Sequence, residues 1–253
     1  MTIPAEALVL AGAAAVAGGI VNAIAGGGSL ITFPTLVAIG LPTVVASLTN
    51  TVAMCPGYLG ATLAQRRQLA GQGPRMARVL PFAALGGIAG ALLLLVTDPR
   101  AFDVVVPFLL VFASLLLAGQ ERLRRWLIGR TRHAHASWWA ALPVGIASIY
   151  GGYFGAGLGV IVLAALAIVL ADSLVRVNAL KQTVSLVVNG AAAGVYVISG
   201  RVDWSVAGVM FVGSLIGGAI GGAIAARVPG NLLRWLVVTV GLAVAGIYFA
   251  KLL

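Results

Sequence analysis

Charge is what this sequence has least of. Only 9% of its 253 residues are Asp, Glu, Lys or Arg, and 61% are apolar, with a mean hydropathy of +1.09. Water-soluble chains run near one quarter charged, so a soluble globular domain is excluded. Acidic residues are scarcest. All six (Glu6, Asp98, Asp103, Glu121, Asp172 and Asp203) fall at the ends of apolar runs or between them. Cation carriers and proton relays place carboxylates inside their spans, so this shortage argues against a metal-ion or organic-cation carrier. A single cysteine, Cys55, excludes a disulfide framework and a thiolate metal site, and within its apolar run it reads as a small hydrophobe. His133 and His135 stand in a basic stretch with no carboxylate or cysteine beside them, too few ligands for a metal. No nucleotide-binding loop and no nucleophile–base pair occurs. The sequence therefore predicts no enzyme, no ATP-driven pump, no metal and no cofactor.

What is present is apolar surface in membrane-length pieces. Windows such as 79–97 and 205–226 hold no ionised side chain, and about 20 such residues cross roughly 30 Å of hydrocarbon. Breakers divide the chain into ten segments, 6–25, 29–40, 43–64, 78–97, 103–119, 138–151, 157–171, 174–199, 204–226 and 232–252. The expected fold is an all-α polytopic membrane protein. No basic stretch precedes the first run, which predicts that it is retained rather than cleaved as a signal. The net charge of +10 would suggest nucleic acid in a soluble protein. Here the basic residues crowd into a few loops, so they report topology and no nucleic-acid partner is expected.

The chain also repeats itself at an offset of about 130 residues. Gly28-Ser29-Leu30 falls on Gly157-Leu158-Gly159, Thr49-Asn50-Thr51 on Lys181-Gln182-Thr183, and Gly87/Gly90 on Gly218/Gly221. The predicted organisation is a first repeat over 1–120, a basic cytoplasmic linker over 121–137 and a second repeat over 138–253. Placing Arg66, Arg67, Arg75 and Arg78 and the linker arginines inside the cell leaves Asp98, Arg100, Asp103 and Arg201 outside. Five segments per repeat is odd, so the repeats are expected to be inverted, with both termini outside.

Most glycines read as helix-packing residues: Gly86, Gly87 and Gly90, and Gly213, Gly217, Gly218, Gly221 and Gly222 stand at small-xxx-small spacing. Gly26, Gly27 and Gly28, and the cluster from Gly151 to Gly159, are different. Adjacent glycines weaken a helix, and short segments follow both clusters, the pattern of broken or re-entrant helices. A break inside a membrane is tolerated where it is buried or lines a polar cavity. The half-helix after each break, starting at Ser29 and near Leu158, presents unpaired N–H groups and a partial positive charge. Two such starts meeting near the midplane would hold a small oxyanion through backbone. Gly27, Gly28, Ser29 and Gly157 supply the starts, and Asn22 adds an amide one turn earlier. The plain alternative is a pair of kinks with no ligand.

Lys181 is the sharpest single residue, seven or eight positions into its segment and roughly 10–12 Å along a helix. A charge at that depth costs at least about 2.5–3.5 kcal/mol unless it snorkels or finds a partner. Asn178, Gln182, Ser185 and Asn189 lie around it, mostly along its own face, which favours an ammonium turned toward a polar cavity. The first repeat offers Ser47, Thr49 and Asn50 in the corresponding place. Tyr58 and Tyr196 read as interfacial or packing aromatics.

The stretch from Asn22 through Gly26-Gly27-Gly28-Ser29 to Pro34 and Gly40, followed by Ser47-Leu-Thr49-Asn50-Thr51, resembles the first half of the TauE/SafE family of membrane transporters. Gly151 to Gly159, Asn178-Ala-Leu-Lys181-Gln182-Thr183 and Gly200-Arg-Val-Asp203-Trp204 resemble its second half. One departure is Leu163, which stands opposite Pro34 where family members commonly carry proline. The resemblance implies a multi-pass protein of the bacterial cytoplasmic membrane, moving a small inorganic or organosulfur anion such as sulfite, thiosulfate or an organosulfonate. The leading expectation is a secondary transporter working by alternating access. An anion channel and a subunit of a larger transport assembly are the competing classes. The lipid bilayer is the other partner, and a homo-oligomer is compatible with the sequence.

Overall fold

The computed structural model describes residues 3–128, 141–169, 172–225, 227 and 231–252, all helix and short connection with no strand among them. Ten α-helices follow one another: α1 (Ala5–Ile24), α2 (Ser29–Ala38), α3 (Thr43–Ala64), α4 (Gly73–Val96), α5 (Pro99–Ile128), α6 (Ala141–Tyr153), α7 (Leu158–Val169), α8 (Leu174–Ile198), α9 (Trp204–Ile224) and α10 (Asn231–Leu252), with a 3₁₀ turn at Arg66–Leu69. They correspond one to one with the apolar segments of the sequence.

Two boundaries move outward. Helix α4 begins at Gly73 with Pro74 in its first turn and takes in Arg75 and Arg78. Helix α5 runs on through Arg122, Arg124 and Arg125 to Ile128, so the linker expected from residue 121 starts as helix. Hydropathy marks where apolar surface stops, whereas Gln, Glu, Leu and Arg continue a helix readily into water. His133, His135 and the rest of 129–140 lie outside the described residues.

Among the described residues, five helices are long and apolar enough to cross a membrane, namely α1, α4, α5, α9 and α10. Helices α3 and α8 are longer than most, at 22 and 25 residues, but carry half of the buried polar side chains among the described residues. They pack against each other at the centre. The short helices α2, α6 and α7, of 10, 13 and 12 residues, flank that pair.

The packing repeats when the first five helices are exchanged for the last five. Helix α9 lies against α1 and α3, as α4 lies against α6 and α8; α10 meets α2 as α5 meets α7; and α3·α8 and α5·α10 map onto themselves. Glycine makes the closest of these pairs possible. A β-carbon on Gly218 would stand 2.0 Å from the Gly57 carbonyl oxygen, and one on Gly90 2.0 Å from that of Ile149. At Gly86, Gly87, Gly213 and Gly217 a β-carbon would also stand within 2.6 Å of a neighbouring backbone oxygen. The glycines at small-xxx-small spacing are therefore contact surfaces that bring backbones together without a hydrophobic driving force.

Candidate functional site

Both helix breaks are built alike. Gly26 (φ +84°) and Gly155 (φ +76°) adopt a left-handed conformation that only glycine takes without strain. At the first, the N–H groups of Ala25 and Gly26 both donate to the Val21 carbonyl; at the second, Phe154 and Gly155 both donate to Tyr150. This doubling leaves the carbonyls of the last helical turn without their usual donors, and a buried carbonyl must find another.

At the first break those donors come from α8. Gln182 Nε2 reaches the carbonyls of Asn22 at 3.2 Å and Ala23 at 2.8 Å, and Lys181 Nζ lies 3.5 Å from the Asn22 carbonyl. At the second, the Tyr196 hydroxyl donates to Gly152 and the Tyr150 hydroxyl to Ala156 at 2.6 Å. Tyr196 and Tyr58 are buried, so they are not interfacial residues. Each sits where a helix interruption leaves polar groups that an aromatic hydroxyl can serve; Tyr58 lies beside the side chains of Asn22 and Asn189.

The first break meets the start of α7. A β-carbon on Gly26 would lie 2.9 Å from the Gly159 Cα. Gly27 and Gly157 are backed by Leu117 and Ala113 of α5, which close one side of the junction with apolar surface. On the other side lie Asn22, Ser29, Asn50, Lys181 and Gln182, all buried. Asn22 Oδ1 accepts from the Gly28 N–H at 2.9 Å, and Asn50 Nδ2 donates to Ser29 Oγ at 3.3 Å. One expected free N–H is thus capped from within the chain, and Asn22 presents its Nδ2 instead.

Several polar atoms in this cluster have no partner: Asn22 Nδ2, Asn50 Oδ1, Gln182 Oε1, and the hydroxyls of Ser47 and Ser185. Buried polar groups left unpaired cost about 1–3 kcal/mol each, and such a concentration marks a place for water or ligand. Lys181 is 1% exposed, and among the described residues no carboxylate pairs with it. Its one recorded partner, the Asn22 carbonyl, belongs to the C-terminal turn of α1, where a cation gains about 0.3–2 kcal/mol. Burying a cation costs several kcal/mol, so the helix end does not balance it.

Two expected site residues sit apart. Thr49 Oγ1 accepts the backbone N–H of Asp203 at 3.0 Å, which ties α3 to the start of α9. Asn178 lies nearer the end that carries Arg66 and Arg67, donating to Gln65 Oε1 at 2.9 Å and reaching the Ala23 carbonyl at 3.5 Å. Gln65, Gln68 and Gln120 line a cavity of about 320 Å³ with Asn178. Sequence reasoning passed over these glutamines because polar residues are ordinary at the ends of apolar helices, so their type and position gave no signal.

The family described as sulfite exporter TauE/SafE matches residues 10–248. A Haemophilus influenzae protein named "Probable membrane transporter protein" is 29% identical over 220 residues, 86% of this chain and 85% of its own length. The Escherichia coli K12 "Probable membrane transporter protein YfcA" is 25% identical over 93% of this chain and 85% of its own. A Sinorhizobium protein, "Probable membrane transporter protein ORF9", is 25% identical over 92% of this chain and 88% of its own.

Proposed function

This chain belongs to the TauE/SafE family of membrane transporters, and on that premise we propose that it is a secondary transporter for a small sulfur-containing oxyanion: sulfite, thiosulfate or an organosulfonate. The observation that carries the reading is Lys181, a buried ammonium with no carboxylate partner beside a cluster of unpaired amides and hydroxyls. An anion there supplies the missing counter-charge.

The anion takes hydrogen bonds from Asn22 Nδ2, Ser29, the Lys181 ammonium and free N–H groups at the starts of α2 and α7, with Asn50 and Gln182 shaping the polar wall and Asn178 bounding it on the side of Arg66 and Arg67. Gly27, Gly28 and Gly157 keep the chain thin enough for backbone to approach. Thr49 acts from outside the site, holding α3 to the start of α9. Residues 1–120 and 138–253 act as inverted repeats whose relative movement exposes the site to either side in turn. The protein works in a bacterial cytoplasmic membrane with the basic loops inside. The acidic residues that cation carriers need within their spans are missing from the sequence, which supports an anion as cargo.

Sulfite flux in proteoliposomes tests the reading. Wild-type protein is expected to give saturable flux, and Lys181→Ala to reduce it at least 10-fold. Equal flux in the two would remove the lysine from the mechanism, and resolvable unitary currents in planar bilayers would replace the carrier with a channel.

A further inference from the structure

The cavity lined by Gln65, Gln68, Gln120 and Asn178 adjoins the Lys181 cluster along α8, where Asn178 stands three residues before Lys181. Leu163 and Val175 complete its aliphatic wall. Gln65 is 5% exposed, and its Nε2 has no partner; Gln68 Oε1 and Gln120 Oε1 have none either. Gln68 and Gln120 are half-buried, and four amide side chains do not line an empty apolar void, so the space is aqueous, with room for about ten waters. It lies at the ends of α1, α3 and α9 and the start of α8, where Arg66, Arg67 and Arg176 neighbour its lining residues in sequence, and therefore belongs to the basic face.

Within its lining, Asn178 Nδ2 donates to Gln65 Oε1 at 2.9 Å and reaches the Ala23 carbonyl at 3.5 Å. One step further in, Ala23 O accepts from Gln182, and Asn22 O lies beside Lys181. The opposite direction is closed differently. Phe33 of α2 stacks edge-on against Phe154 at the second break, with ring centroids 5.2 Å apart, and Phe154 against Phe102 at 6.2 Å. All three rings are at most 3% exposed. A polar hydrogen bond between two neutral side chains opens at little cost, about 0.5–1.5 kcal/mol net; three interlocked buried rings do not.

We propose that this cavity is the entry vestibule for the anion from the basic face, and that the Gln65–Asn178 hydrogen bond is its gate. The assignment rests on the transporter reading above. The vestibule carries no charged lining residue, so it passes a hydrated anion without trapping it, while basic residues at its rim concentrate anions at the entrance. The gate is one hydrogen bond thick and the far side three rings thick, so the described conformation faces the basic side.

The test is thiol accessibility in a Cys55→Ser background, which removes the chain's only cysteine. The probe is methanethiosulfonate ethylsulfonate, an impermeant anion, applied to inverted and right-side-out vesicles, with Arg67→Cys marking the basic face. Gln120→Cys is expected to react at least 10-fold faster from the basic face than from the other. Ser185→Cys, one turn beyond Lys181, is expected to be protected, and Asn178→Ala to raise its rate at least 10-fold while the Gln120→Cys rate holds. Gln65→Ala breaks the same bond from the other side and decides the matter if Asn178→Ala misfolds. Protection of Gln120→Cys from both faces, or a Ser185→Cys rate unmoved by either gate variant, overturns the proposal. Labelling needs no flux. A wild-type protein that labels as expected but moves no sulfite loses the anion reading, whereas one that moves sulfite with the wrong labelling pattern loses only the gate.

Discussion

Gly26 and Gly159 are where the two interrupted helices touch: a β-carbon on the first would lie 2.9 Å from the second's Cα, and a β-carbon on the second 2.6 Å from the first's. The two positions fail for different reasons when substituted. Gly159→Ala forces backbone apart, an overpacking cost of about 1–3 kcal/mol. Gly26→Ala adds the left-handed penalty of its φ of +84°, about 1–2 kcal/mol more. Thermal unfolding in detergent is expected to rank wild type above Gly159→Ala above Gly26→Ala. Equal stabilities would show that the first break and the start of α7 do not bear on each other.

A buried ammonium without a carboxylate destabilises the empty protein and favours the loaded one. Lys181→Met is therefore expected to raise the melting temperature of ligand-free protein, by the equivalent of about 1–4 kcal/mol, the range seen when buried ionic groups give way to apolar ones. The same substitution is expected to abolish the rise in melting temperature that sulfite gives wild type, since a ligand stabilises only a state that binds it. A destabilised variant that still responds to sulfite would make Lys181 a structural strut on the Asn22 carbonyl.

Much of this was legible from residue pattern. Runs of apolar residues located all ten helices, because a membrane leaves few other solutions for that composition. The glycine clusters located both breaks, since Gly26 and Gly155 require a backbone that other residues avoid. The role of Gln182 was not legible: which carbonyls a distant amide serves depends on how α8 crosses the end of α1, and no local pattern encodes that crossing. The same holds for Thr49, whose hydroxyl goes to Asp203 from a place that looked equivalent to Lys181. Gln65 and Asn178 meet across 113 positions, and neither residue type announces the other.

Gln182 and Asn50 occupy corresponding places in the duplicated sequence but hold different amounts of structure. Gln182 satisfies two buried carbonyls at 3.2 and 2.8 Å, whereas Asn50 makes one 3.3 Å bond to a hydroxyl. Gln182→Leu leaves each carbonyl only a long 3.5 Å donor, Lys181 Nζ at Asn22 and Asn178 Nδ2 at Ala23, and is expected to cost roughly 2–4 kcal/mol, below the about 1–3 per group of full orphaning. Asn50→Leu is expected to cost less than half as much while still impairing sulfite flux. Chemical denaturation of the two variants side by side measures the difference, and equal losses would mean that the α1 carbonyls find other donors.

Asp172 joins the two halves at the basic face. Its carboxylate accepts from Arg75 of α4 and from Arg176 Nε of α8 at 3.1 Å, and from the Ser173 N–H at 2.7 Å. Burial, the largest single influence, pushes its pKa up, but the hydrogen bonds from Arg75, Ser173 and Arg176 together with the Arg176 charge outweigh it and hold the group below the ordinary carboxylate value. A carboxylate whose folded pKa is depressed contributes stability that is present above its unfolded pKa and lost as pH falls through its folded one. Asp172→Asn is therefore expected to lower stability at pH 7, by about 1 kcal/mol for a partly exposed ion-pair group. The gap from wild type should hold down to about pH 4, near the unfolded carboxylate value, and close below it as the native carboxylate takes up its proton. Melting temperatures of both proteins between pH 7 and pH 3 measure this. A gap that stays constant across the range would assign the effect to the shape of the α7–α8 connection instead of to its charge.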